Sequence, residues 1–113
     1  MKIIDKQISI EELGEMATKM FDNLVKAVVD IDKELMAVDA ELHADEEKLL
    51  LENGSDQNSL WGINLYPKLK GEDFIEFDSM INLRPSQNNR SRGIDNPELR
   101  EKIFLIVNKL VLK

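Results

Sequence analysis

Cysteine is absent from this 113-residue chain, and histidine, tryptophan and tyrosine occur once each. The first absence excludes disulfides, thiolate metal sites and cysteine nucleophiles. A single histidine falls short of the usual catalytic zinc site, and HExxH spacing is missing, so no metal and no cofactor is expected. Proline (3) and glycine (5) are sparse, and no low-complexity linker divides the chain. Nowhere do eighteen apolar residues run together, and Met1 to Lys6 holds no apolar run of signal-peptide length. The sequence therefore reads as cytoplasmic, with no membrane contact. What is present is ordinary globular composition, 42% hydrophobic and 33% charged, enough for one domain over residues 1–113 with its own core.

Charge is divided unequally. Residues 1–57 carry 15 acids and 6 bases, whereas residues 58–113 carry 7 acids and 9 bases, for a total of −7. That balance argues against nucleic-acid binding by phosphate neutralisation. Within it lies a stretch without a single acid, Arg84-Pro85-Ser86-Gln87-Asn88-Asn89-Arg90-Ser91-Arg92-Gly93. Arginine offers a planar fork that engages carboxylate or phosphate through paired hydrogen bonds. Arg84, Gln87, Asn88, Asn89, Arg90, Ser91 and Arg92 are accordingly the candidate anion-binding residues. The competing explanation is a loop whose arginines tie it to the acidic half of the chain or to a second copy. The Gly spacing and Lys-Ser/Thr ending of a phosphate loop are missing.

Periodicity places helices at both ends and strands between. Ser9 and Glu12 have capping-box spacing, and Leu13, Met16, Ala17, Met20 and Leu24 follow at helical intervals, predicting a helix over 10–23. Alternation from Val25 to Ile31 and the apolar run from Leu35 to Ala40 predict a hairpin. Acids at 45–47 and the Asn53-Gly54 ending predict a short helix over 44–53; the alternative is a strand at Leu49–Leu51. Residues 60–66 and 73–83 read as two more strands, the second with Ile75, Phe77, Ile81 and Leu83 on one face and Glu76, Asp78 and Asn82 on the other. Asn96-Pro97-Glu98 opens a last helix with Ile103, Ile106, Val107 and Leu110 as its buried stripe. The fold class is α+β: a two-layer domain in the order α-β-β-α-β-β-α, three helices covering one face of a mainly antiparallel four-stranded sheet. The 40–60 connection is long enough for a right-handed parallel crossover.

Several runs carry a resemblance. Asp39-Ala40-Glu41-Leu42-His43-Ala44-Asp45, Leu60-Trp61-Gly62-Ile63-Asn64-Leu65-Tyr66-Pro67 and the 84–93 loop resemble a family of short uncharacterised bacterial and archaeal proteins. The resemblance spans nearly the whole chain. It implies a single small domain and brings no assigned activity or site residues.

The second constellation is acidic. On a strand continued to His43, Asp39, Glu41 and His43 project from one face, and Glu76 and Asp78 stand on the polar face of a later strand. They form a candidate acidic face beside the arginine loop, able to support the anion site or move a proton. A Ser-His-acid triad has only His43 to draw on and no strained Gly-x-Ser-x-Gly turn. Trp61, on an alternating apolar strand, reads as core or subunit interface. Three functions follow: a non-catalytic binding or regulatory module recognising a small anionic ligand or an acidic protein segment; a small enzyme on a phosphate- or carboxylate-bearing substrate; and a homodimer latched by the arginine loop.

Overall fold

A computed structural model describes residues 1–113. The chain is α+β, with three helices and a mainly antiparallel sheet. Its elements are β1 (Lys2–Ile4), β2 (Ile8–Ser9), α1 (Ile10–Met20), β3 (Val25–Asp30), β4 (Leu35–Val38), α2 (His43–Glu52), β5 (Leu60–Leu65), β6 (Ile75–Glu76), α3 (Pro97–Leu110) and β7 (Val111–Leu112). The sheet has five strands, not four, in the order β1-β4-β3-β5-β6, and every pairing in it is antiparallel. The 40–60 connection is a crossover: β4 and β5 both run antiparallel to β3 between them, so they are parallel to each other without pairing directly, and α2 links them across β3. A separate parallel pair, β2 with β7, ties the entry to α1 to the exit from α3.

Local chemistry sets the helix ends. Ser9 caps α1, its hydroxyl accepting from the Glu12 N–H at 3.1 Å, and Asn96 caps α3 by accepting from Glu98 N–H at 2.9 Å, with Pro97 at the first helical position. The β3–β4 turn is held by Asp30, whose Oδ1 accepts from the N–H groups of Asp32 and Lys33. The chain leaves α2 through Asn53 and then Gly54 at φ +95°, a conformation that glycine adopts without penalty.

The sheet is covered on both faces, which corrects the two-layer expectation. Val25, Ala27 and Val29 of β3, Trp61, Ile63 and Leu65 of β5, and Met36 and Val38 of β4 join Leu13 of α1 and Ile103, Ile106 and Val107 of α3 in the main core. The opposite face puts Val28, Ala37 and Leu60 against Leu50 of α2. Such two-sided burial is why β5, Leu60–Leu65, reads as nearly continuous apolar sequence. Trp61 is only 3% exposed, a core residue.

The expected strand over 73–83 shrinks to Ile75–Glu76. Beyond it Ser79 caps a 3-10 turn over Met80–Asn82, its hydroxyl accepting from Ile81 N–H. Hydrogen bonds that a strand would give from its backbone come instead from the Asn82 side chain.

Candidate functional site

The edge of β5 that faces away from β3 is closed by three residues in turn. Glu76 stands opposite Asn64 in the β5–β6 ladder. One step along, Asn82 donates to the Gly62 carbonyl and accepts from its N–H. At the end, Arg84 donates to the carbonyls of Leu60, Ile81 and Gln57, meets Glu47 at 3.5 Å and stacks its guanidinium 4.5 Å from the centroid of the Trp61 ring. Burial pulls the Arg84 pKa below its ordinary value, against the opposing pull of Glu47.

The rest of the 84–93 loop is held from inside the chain. Asn89 is buried; its Nδ2 donates to the carbonyls of Asn82 at 2.7 Å and Gly93 at 2.8 Å, and its Oδ1 accepts from Asp95 N–H. Asp95 accepts from the Ser91 hydroxyl and the Arg90 N–H, and the Ser91 bond foremost holds its carboxyl below the usual range. Gln87 donates to the Asn58 carbonyl and accepts from Arg84. Asn88 takes the left-handed conformation, φ +60°, that ends the turn at 85–87. Four of the seven candidate residues, Arg84, Gln87, Asn89 and Ser91, thus spend their polar groups within the loop and its neighbours. The three arginines do not share a recess: Arg84 lines a small one with Glu47 and Gln57, Arg92 lines a different groove, and Arg90 lines neither.

That groove, about 470 Å³, is the candidate site. Its floor is a row across the sheet, for Lys26 of β3 is the register partner of Asn64 on β5, and Asn64 of Glu76 on β6. Asn64 Nδ2 donates to Glu76 Oε1 at 2.9 Å and the Tyr66 hydroxyl donates to the same oxygen at 3.0 Å. Burial, then the Glu76 bond, raises the Tyr66 pKa. His43, the first residue of α2, and the pair Arg92–Asp78 form the walls. Arg92 Nε donates to Asp78 Oδ1 at 2.8 Å, and the Arg92 carbonyl accepts from Ser79 N–H and Asn82 Nδ2, fixing that stretch of backbone. His43 Nε2 donates to the Ile63 carbonyl at 2.7 Å. Burial pushes the imidazole pKa below its ordinary value, so the ring is neutral near pH 7 with Nδ1 as an acceptor. Leu42 and Met80 stand exposed on the rim.

The acidic constellation divides. His43, Glu76 and Asp78 come together in the groove; Asp39 and Glu41 do not. β4 ends at Val38, Asp39 turns the chain with φ +72°, and His43 is already helical, so the two-residue period that would align 39, 41 and 43 is broken. Asp39 instead borders a depression beside α1 with Lys2 and Glu12, and Glu41 is exposed.

A protein-family model described as "Protein of unknown function (DUF5674)" matches residues 2–110. The chain belongs to the DUF5674 family. Comparison with curated proteins and with solved structures finds no match.

Sequence reasoning missed two floor residues of this DUF5674 domain. Lys26 and Asn64 are polar side chains inside otherwise apolar strands, at positions that the pairing of β3 with β5 sets opposite each other. That interruption of an apolar run was the available signal. A third surprise is Glu46, one of the acids that open α2. It is fully buried, with Oε2 accepting from Ala40 N–H at 3.2 Å and Oε1 without a partner. Burial pushes its pKa up to about 10, so it is a neutral carboxylic acid at pH 7.

Proposed function

We propose that this domain is a non-catalytic binding module whose groove on the α2 face takes a small ligand by its anionic head. The observation that carries the reading is the state of Arg92. Asp78 holds its Nε at 2.8 Å, which orients the guanidinium while leaving the two terminal nitrogens without an acceptor in the protein. Lys26 borders the same groove with its ammonium 5.0 Å from the Phe21 ring and no carboxylate partner. An oriented fork beside a free ammonium is suited to a carboxylate or phosphate. The groove volume lies within the range of small-molecule sites, about 300–1,000 Å³. Arg84 takes no part in this reading, being occupied by three backbone carbonyls.

The test is a thermal-shift and calorimetric panel of simple carboxylates and inorganic phosphate. A ligand at one hundred times its dissociation constant adds about 2.7 kcal/mol of stability. Arg92→Ala and Lys26→Ala are expected to remove the shift and Arg90→Ala to keep it; equal shifts in wild type and Arg92→Ala defeat the reading.

One observation favours a second reading, a small enzyme acting on a phosphate- or carboxylate-bearing substrate. His43 presents a neutral imidazole to the groove, its tautomer set by the Ile63 carbonyl, which is the state a general base requires.

A further inference from the structure

Resting on that binding reading, we propose that the groove is built for a zwitterion with an apolar side group, the chemistry of a free α-amino acid such as leucine. Three observations converge on this class. First, the charges of the groove balance: Lys26 and Arg92 stand against Glu76 and Asp78. The chain as a whole carries −7, so the surrounding field opposes a simple anion but not a ligand bearing both signs.

Second, acceptors are left over as well as donors. Glu76 spends Oε1 on both Asn64 and Tyr66, and its Oε2 makes no bond within the protein. Next to it in the row, the Oδ1 of Asn64 is buried without a donor. Adjacent strands lie about 4.8 Å apart, so Lys26 and Glu76 stand about 10 Å apart at the backbone with Asn64 between them. Glu76 reaches over that span to Asn64, and the Lys26 ammonium lies over the Phe21 ring at the groove's border. A carboxylate then lies between Arg92 and Lys26, and an ammonium on Glu76.

Third, the rim is apolar. Leu42 is 55% exposed and Met80 62%, one at the entry to α2 and the other on the 3-10 turn, and both border the groove. Methionine is unbranched and adapts to varied apolar shapes. A ligand side chain between Leu42 and Met80 covers both.

The probes are L-leucine, 4-methylpentanoate, which lacks the amine, 3-methylbutylamine, which lacks the carboxylate, and glycine, which lacks the apolar group. Calorimetry is expected to show leucine binding at least about tenfold more tightly than each of the other three, one missing interaction being worth about that factor. Arg92→Ala and Glu76→Gln each weaken leucine about tenfold, and Met80→Ser weakens leucine while leaving glycine unchanged. Glu76→Gln keeps an acceptor for Asn64 and Tyr66, and Met80 is exposed, so these variants fold. If 4-methylpentanoate matches leucine in wild type and in Glu76→Gln, the zwitterion is overturned and the anion reading stands. Absence of leucine binding beside Arg92-dependent phosphate binding has the same meaning. Absence of binding by every carboxylate and by phosphate overturns both.

Discussion

Asn82 meets Gly62 as a neighbouring strand would: its Oδ1 accepts from the Gly62 N–H at 2.8 Å and its Nδ2 donates to the Gly62 carbonyl at 2.9 Å. The same Nδ2 donates to the Arg92 carbonyl at 3.0 Å. One buried side chain thereby closes the edge of β5 and anchors the backbone that carries the groove's arginine. Closure of this kind protects an edge that would otherwise expose unpaired backbone groups.

The first prediction follows from that pairing. Asn82→Ala strands an N–H and a carbonyl of Gly62 in a buried setting, at about 1–3 kcal/mol for each group left unsatisfied. Gly62→Ala meets a different obstacle, because its Cβ would lie 2.6 Å from both Cβ and Oγ of Ser79; overpacking of this kind costs about 1–3 kcal/mol. Urea unfolding followed by Trp61 fluorescence measures both. Ser79→Gly is expected to recover part of the Gly62→Ala loss in the double variant, since the clash is with that side chain. Strict additivity of the two changes speaks against the contact.

Arg84 and Arg90 separate structural from surface roles. Arg84→Ala removes donors from three backbone carbonyls and uncovers Trp61, a loss of about 2–4 kcal/mol. Arg84→Lys recovers little, since a point ammonium cannot span the three acceptors or stack on the indole. Arg90 uses only its backbone N–H, and Arg90→Ala is expected to change stability by less than about 0.5 kcal/mol. Equal effects of Arg84→Ala and Arg90→Ala would remove the distinction.

Glu46 makes stability depend on pH in a direction set by its raised pKa, about 10 in the fold against about 4.3 in an unfolded chain. Between those values the folded state holds a proton that the unfolded state has released, so stability falls as pH rises, by at most about 1.4 kcal/mol per pH unit. Glu46→Gln cannot ionise and lacks this slope. The variant is expected to match wild type near pH 4 and to exceed it increasingly toward pH 9. A stability difference that stays constant over that range means the carboxyl is not held neutral by burial.

Much of the fold was legible because short-range chemistry decided it. Ser9 with Glu12 and Asn96 with Pro97 announce their helices, and alternation from Val25 onward announces the hairpin. Where side chains replace backbone, the pattern misleads: Ile75, Phe77, Ile81 and Leu83 alternate like a strand, yet Asn82 supplies through its amide the bonds a strand would supply through its peptide groups. The side taken by α2 was hidden because Val28, the residue that receives Leu50, lies between Lys26 and Asp30 on a face that reads as polar. In the basic loop, composition showed three guanidiniums but not their obligations. Asn89 and Asp95 order the loop from within, so a second copy of the chain is not needed to hold it. Only Arg92 reaches the groove, and the Lys26–Asn64–Glu76 row depends on strand pairing, which no local pattern specifies.

His43 offers a direct view of the groove, because it is the only histidine in the chain and gives a single set of imidazole resonances. Burial lowers its pKa below the unfolded value of about 6.5. As pH falls through that value the unfolded chain takes up a proton that the folded protein still refuses, so stability present above it is lost on acidification. An NMR titration is expected to show a midpoint below about 6.5, and nitrogen shifts of a ring protonated at Nε2, the atom that donates to Ile63. His43→Gln is expected to flatten the stability profile between pH 5 and 7 relative to wild type. A ligand whose acid group binds at Arg92 and Lys26 adds negative charge near the ring, so it raises the midpoint in the wild type and leaves it unmoved in Arg92→Ala. A midpoint at or above the unfolded value in the free protein would show the ring to be solvated, and with it would go the neutral acceptor that the groove is argued to hold.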